Sequence, residues 1–287
     1  MSTLILTAVA MIAFAGNSVL CRLALAEEAI DAGSFTLIRL VTGAITLGVI
    51  LFFRAGGDRA TYPGLKFTLL AGTALFSYAV LFSFAYTQLS AGTGALLLFG
   101  SVQLSLLGLH WWQGQHFRGL EIVGIICSLG GFVWLMLPSA SQPNLFSAIL
   151  MLSSGVAWAM FTALGKTINS PVSGITWGFI SASALSILCI PWMLSNATVS
   201  AEGVILATLS GSITSAMGYV LWYRVLKQLT LLQASISQLS VPVITLILGV
   251  ILLSEVISIR EVITSVVILG GIALVFVSRW NKNSGNA

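Results

Sequence analysis

Thr87-Gln88-Leu89-Ser90-Ala91-Gly92 is the stretch on which the fold turns. It carries no charge and no proline, and apolar runs flank it on both sides. Read as a turn, it separates two membrane spans and the chain crosses the bilayer ten times. Read as the middle of one run, it leaves nine crossings and puts the termini on opposite sides. A helix needs roughly 20 residues to cross about 30 Å of hydrocarbon. Runs of that length flank the stretch at 66–87 and 92–110. The same reading places further spans at 3–23, 33–53, 119–137, 144–164, 174–194, 203–224, 231–253 and 260–279. The other breaks are plainer. Glu27-Glu28 and Asp31 end the first run, Arg54 to Arg59 the second, and Pro138 to Asn144 separates the fifth from the sixth.

Composition requires a membrane. Hydrophobic residues make up 57% of the 287 and charged residues 7%, with a mean hydropathy of +1.04. A soluble domain carries about 25% charged residues, so lipid must solvate much of this surface. The first run has no preceding Lys or Arg and is long for a signal peptide, so it reads as a span. Cys21, Cys127 and Cys189 lie far apart in or next to apolar runs and read as small core residues. They form no metal spacing, and His110 and His116 read as solvated residues at a helix end. Neither a metal nor a cofactor is expected. No basic stripe points to nucleic acid.

Charge placement decides between the two counts. With ten spans and the N-terminus inside, nine of the twelve basic residues fall on one side, leaving Arg22, Arg39 and Arg260 on the other. Cytoplasmic loops are enriched in Lys and Arg. The expected location is therefore a bacterial inner membrane, multi-pass, with both termini cytoplasmic.

The chain also repeats at a shift of 140 residues. Gln88-Leu89 recurs as Gln228-Leu229, Val80-Leu81 as Val220-Leu221, Glu121 as Glu261, and Leu129-Gly130-Gly131 as Leu269-Gly270-Gly271. Five spans per half is an odd number, so the second half enters from the opposite face. The fold class expected is an all-α polytopic membrane protein with ten transmembrane helices in two inverted five-helix repeats, residues 1–138 and 139–287, forming one membrane unit.

Several segments in order resemble the drug/metabolite transporter superfamily, of the EamA type. They are Phe14-Ala15-Gly16-Asn17-Ser18, Arg39 in the second span, Gln88 to Gly92, Gln233-Ala234-Ser235 through Val241-Pro242-Val243, and the Gly-Gly pair closing each half. The resemblance implies a central cavity, alternating access, and a periphery formed by the fifth and tenth helices. It implies efflux of small organic metabolites such as amino acids or related amphiphilic compounds, or of toxic compounds. It does not choose the substrate.

Polar groups in hydrocarbon should face a cavity or a partner helix. Asn17 reads as a substrate ligand or as a bond to a neighbouring helix. Arg39 reads as a carboxylate site or an external gate, against snorkelling to the interface or pairing with Asp31 or Glu28. Pro242, near a span centre, reads as a hinge that frees the carbonyl of Gln238, whose amide and that of Gln103 are candidate ligands. Tyr78, Phe82, Trp158, Tyr219 and Trp222 could form an aromatic wall for a weakly polar solute, with packing as the plainer reading of any one ring. Trp111, Trp112, Trp192 and Trp280 read as interfacial belt residues. No Asp or Glu lies mid-span, which lowers the case for proton antiport. An enzyme would need clustered nucleophiles, acids or a metal set, and no HExxH, paired aspartates or GxSxG is present. The expected partners are a small-molecule substrate and the lipid bilayer, with the protein a monomer or homodimer.

Overall fold

The computed structural model describes residues 3–54, 62–112, 114, 119–137, 143–165, 167–168, 170–194, 197–229 and 237–284. The main helices among the described residues are α1 Thr3–Ala26, α2 Ala32–Arg54, α3 Leu65–Tyr86, α4 Ala91–Trp112, α5 Leu120–Met136, α6 Leu145–Gly165, α7 Pro171–Leu188, α8 Ala201–Leu226, α9 Ser240–Leu253 and α10 Ile259–Ser284. Six of them, α1, α2, α3, α4, α6 and α8, are long and apolar enough to span a membrane by length and composition alone. The others are shorter or carry polar ends.

The decisive stretch is a turn. α3 stops at Tyr86 and α4 starts at Ala91. The Ser90 hydroxyl accepts from the Thr93 amide at 3.3 Å and caps α4, while the Tyr86 hydroxyl donates to the Ala91 carbonyl at 3.3 Å and folds the turn back. Other starts are capped by the same chemistry. Asp31 accepts from Ser34, Asn144 from Ser147 and Ser200 from Gly203. Ser258 and Glu261 make a reciprocal capping box at the start of α10. The seventh span is shorter than expected. α7 ends at Leu188, and Pro191 lies in a separate short helix, Ile190–Met193. The expected repeat boundary at 138/139, the segment Gln233-Ala234-Ser235 and His116 fall outside the described residues.

Packing follows an exchange of halves. α3 packs on α6 and α7 as α8 packs on α1 and α2, and α4 packs on α6 as α9 packs on α1. α2 meets α7, and α5 meets α10. This last pair is the peripheral one, and no residue of α5 or α10 lines the central cavity described below. Its seam is made of small residues, which let backbones approach where lipid offers no hydrophobic drive. The Ser128 hydroxyl donates to the Ile268 carbonyl at 3.1 Å, a bond between residues 140 apart. A Cβ on Gly124 would run into the Gly271 carbonyl, and one on Gly271 into Ser128. Outward-facing Phe52, Phe53, Ile126, Ile251 and Val266 are exposed and leave an apolar belt for lipid. Trp111, Trp112 and Trp192 are exposed at helix ends, and the Trp280 side chain lies outside the described residues.

Replacing Gly271 by Leu should force α5 from α10 and destabilise the fold by about 1–3 kcal/mol. Gly270→Ala, with nothing within 4 Å of the added carbon, should be close to neutral. Thermal unfolding of the purified protein in detergent checks the contrast. Equal midpoints for the two variants would contradict the seam.

Candidate solute-binding site

The centre of the bundle is a polar knot in an aromatic shell. Its anchor is Asn17, 3% exposed on α1. Its Oδ1 accepts from Ser210 at 2.7 Å, Thr214 at 3.3 Å and Ser215 at 3.4 Å, and its Nδ2 donates to the Tyr78 hydroxyl at 3.4 Å. Three hydroxyls from one helix can converge on one oxygen because the middle of α8, Ser210–Met217, is π-helical. The wider turn brings positions one and five apart onto one side, and such segments are frequent at functional sites. The run Ser210-Gly211-Ser212-Ile213-Thr214-Ser215-Ala216-Met217-Gly218 was the signal for it. Small hydroxylated residues in mid-span need a partner helix, but 3.6-residue spacing does not bring them together.

Arg39 of α2 is 1% exposed. Its Nε donates to Ser215 at 3.0 Å, and its Nη2 donates to Tyr78 at 3.1 Å and Tyr219 at 3.2 Å. The guanidinium carbon sits 5.2 Å from the Tyr78 ring centre and 5.1 Å from that of Phe82, close enough for cation–π attraction. Arg39 therefore does not snorkel, and it pairs with no acid among the described residues. Asp31 is engaged instead in capping α2 and in accepting from the Thr198 amide at 3.1 Å. Gly211 makes this position possible. A Cβ there would overlap the Arg39 carbonyl and the Thr42 hydroxyl, so only glycine lets α8 lie against α2 at this level.

Beside the knot lies a closed cavity of about 10 Å³, room for one water. Phe14, Asn17, Ser18, Tyr78, Phe82, Leu98, Phe99, Trp158 and Tyr219 line it. The rings interlock. Trp158 lies 4.9 Å from Tyr78 and 4.7 Å from Tyr219 between centres, and Phe14 meets Trp158 edge-on at 5.9 Å and Trp222 at 5.8 Å. Of the residues singled out in the sequence, Asn17, Tyr78, Phe82, Trp158 and Tyr219 come together in the wall, with Arg39 and Trp222 directly behind it.

Gln103 and Gln238 are buried but are not part of this wall. Pro242 lies in the first turn of α9, which begins at Ser240. Ser237 and Gln238 before it are also helical, and Leu239 between them is a turn residue, so the helical path is interrupted three residues before the proline. It faces a groove between α9 and α10 shared with Val243, Leu246, Val266 and Leu269. Sequence reasoning missed Phe14 and Ser18, one helical turn apart on α1, and Leu98 and Phe99 on α4 as lining residues.

A second cluster sits at the end of the bundle that carries the α1–α2, α3–α4 and α9–α10 connections. Arg22 pairs with Glu255 at 3.3 Å and donates to the Tyr86 carbonyl at 3.0 Å. Both Glu255 oxygens accept from the Ala91 amide, at 3.0 and 2.9 Å. α1 is thus tied to α9, and both to the turn that opened the sequence reading.

Two inverted five-helix halves closed around an aromatic cavity have the architecture of a membrane transporter. The chain belongs to the EamA-like transporter family, whose model matches residues 1–137 and again 145–277. An uncharacterized protein of Pseudomonas aeruginosa is 43% identical over 280 residues, covering 98% of this chain and 96% of that one. A probable terminal-alkyne amino-acid exporter of Streptantibioticus cattleyicolor is 22% identical over 192 residues, 66% of this chain and 65% of that one. A protein crystal structure matches with a TM-score of 0.68 at 16% identity, over 96% of this chain and 97% of that one, and shows the same fold.

Asn17→Ala removes the acceptor of the Ser210 and Ser215 hydroxyls, while Thr214 keeps the Ser210 carbonyl at 2.9 Å, and should cost about 1–3 kcal/mol. Ser210→Ala leaves Asn17 two donors and should cost less than half as much. Thermal midpoints of the two variants test the ranking, and a larger loss for Ser210→Ala would contradict it.

Proposed function

We propose that this chain is a secondary carrier that exports small amphiphilic metabolites, amino acids or related compounds, by alternating access at the central cavity. The observation that carries the reading is that the polar groups closing the cavity bond across the two halves. Asn17 and Arg39, from the first half, hold Ser210, Ser215 and Tyr219, from the second. Rocking one half against the other about a fixed site must break these bonds, and a solute can replace them. Arg39 then acts as part of the gate.

The Arg22–Glu255 pair is the outer closure when the basic-rich loops are put on the cytoplasmic side of a bacterial inner membrane, with both termini inside. Solute and lipid are its partners, and it works as a monomer or homodimer. No acidic side chain lines the cavity among the described residues, which favours exchange or downhill movement over proton antiport. Export is supported by the family resemblance and by the Streptantibioticus relative, a probable amino-acid exporter. The aromatic wall also suits a toxic-compound efflux carrier as a second reading. A channel-like facilitator is disfavoured by the closed cavity.

Proteoliposomes decide between carrier and channel. A carrier gives saturable uptake accelerated by unlabelled solute on the far side. Linear, unaccelerated flux would overturn the reading. Trp158→Ala removes a ring that touches Tyr78 and Tyr219 and should lower transport about tenfold, the worth of one aromatic pair. Unchanged transport would take Trp158 out of the site. Glu255→Gln should weaken the outer tie, so that a cysteine placed at Ser18 reacts faster with an impermeant maleimide added outside. An unchanged rate would sink the gate.

A further inference from the structure

We propose that the group recognised at this site is a carboxylate. The solute is an amphiphilic monocarboxylate whose anionic end pairs with Arg39 and whose apolar body lies against Phe14, Phe99 and Trp158. The proposal rests on the carrier reading above and narrows its substrate class from amino acids and related compounds to carboxylates without a free ammonium.

The first support is an unbalanced charge. Arg39 is 1% exposed, and no acidic side chain among the described residues pairs with it. Its oxygen partners are the neutral hydroxyls of Ser215, Tyr78 and Tyr219. Its Nη1 is buried without a hydrogen-bond partner. A cation taken out of water is stable only when paired or fully bonded, so this one is short of an anion. The planar guanidinium fork fits a carboxylate with two parallel bonds, and such pairs are about twice as strong as neutral ones. The Tyr78 and Tyr219 hydroxyl oxygens meet the same Nη2, where a carboxylate oxygen would bind. In the closed cavity the two phenols stand in for the anion.

The second support is the balance of donors and acceptors. Among the cavity residues, the Trp158 indole nitrogen is buried and unpartnered, a free donor 3% exposed. The Asn17 amide oxygen, the wall's one side-chain carbonyl, already accepts from three hydroxyls. A solute ammonium would meet neither a carboxylate nor an open amide oxygen, and would stand near the Arg39 charge. A solute carboxylate would meet free N–H groups in a site that excludes water, where the attraction is strongest. The Ser18 hydroxyl is also buried and unpartnered and can donate to a carboxylate or accept from an amine, so the polarity of the wall is set by the Trp158 N–H and by the Arg39 charge behind it; Phe14, Phe82, Leu98 and Phe99 offer carbon and ring faces. These two supports are independent, since one concerns charge and the other hydrogen-bond polarity.

The test uses matched pairs on the purified full chain in detergent. Aliphatic and aromatic monocarboxylates, 3-phenylpropionate among them, are titrated beside their primary amides and the corresponding amines, with thermal shift and Trp fluorescence as readouts. Wild type should bind at least one carboxylate tenfold or more tighter than its amide, and the amine more weakly still. Arg39→Gln should bring the carboxylate-to-amide ratio to about one, and Arg39→Lys should keep part of the preference. Amides or amines binding as well as carboxylates in wild type would overturn the proposal, as would an unchanged ratio in Arg39→Gln. If Arg39→Gln does not fold, the wild-type pairs decide alone. Saturable flux of neutral or cationic solutes with no carboxylate preference would refute this inference and leave the carrier intact. Failure of the whole panel to show saturable flux would refute both.

Discussion

A buried cation held only by neutral oxygens is the constraint on which the rest of the centre depends. Arg39 is seated by one serine and one tyrosine of the second half and one tyrosine of the first. Those oxygens arrive only because α8 winds as a π-helix from Ser210 to Met217 and because Gly211 presses its backbone against Arg39. Asn17 shares two of those oxygens, accepting from Ser215 and donating to Tyr78, and adds Ser210 and Thr214. Aromatic rings cover what remains, and their faces attract the charge they enclose. Each element is costly alone in hydrocarbon, and each is tolerated because the next one satisfies it.

The two kinds of contact between halves divide the work. α5 and α10 meet through a seam of glycines and one serine, with backbones too close for any larger residue. Such a seam is stiff and has one register. The cavity helices meet through a handful of polar bonds and interlocked rings. In the carrier proposed above, the seam is the frame, and Asn17, Arg39 and the Arg22–Glu255 tie are the parts that exchange partners. This matches the periphery that the family resemblance implied for the fifth and tenth helices.

The fold was legible in the placement of charge and in the repeat. The uncharged turn at 87–92 was placed by the charge bias of the whole chain, and in the structure Ser90 caps α4 there. On the 140-residue diagonal, Gly131 and Gly271 each press against the facing helix at one seam, while Gly130 and Gly270 face open space. The site was half legible. Aromatics and Asn17 stand out at mid-span, where any polar atom must find a partner. Arg39 was harder. Its distance along α2 suggested the interface, and only the partners from α3 and α8, residues far away in sequence, pull it into the core. The π-helical stretch breaks the very spacing by which helices are read. Pro242 flagged a break in the ninth apolar run, and the interruption falls at Leu239, between helical Gln238 and Ser240.

The most direct test of the account is whether the two ends of the bundle move oppositely. Spin labels at Glu27 and Val256 report the end tied by Arg22 and Glu255, and labels at Leu4 and Gln228 report the other end, where Thr3 donates to Gln228. Pulsed electron-spin distances in lipid nanodiscs, with and without the Arg22–Glu255 pair, should show one pair of labels separating as the other closes. Distances that stay fixed at both ends, or that open together, would contradict a cavity that alternates between two halves.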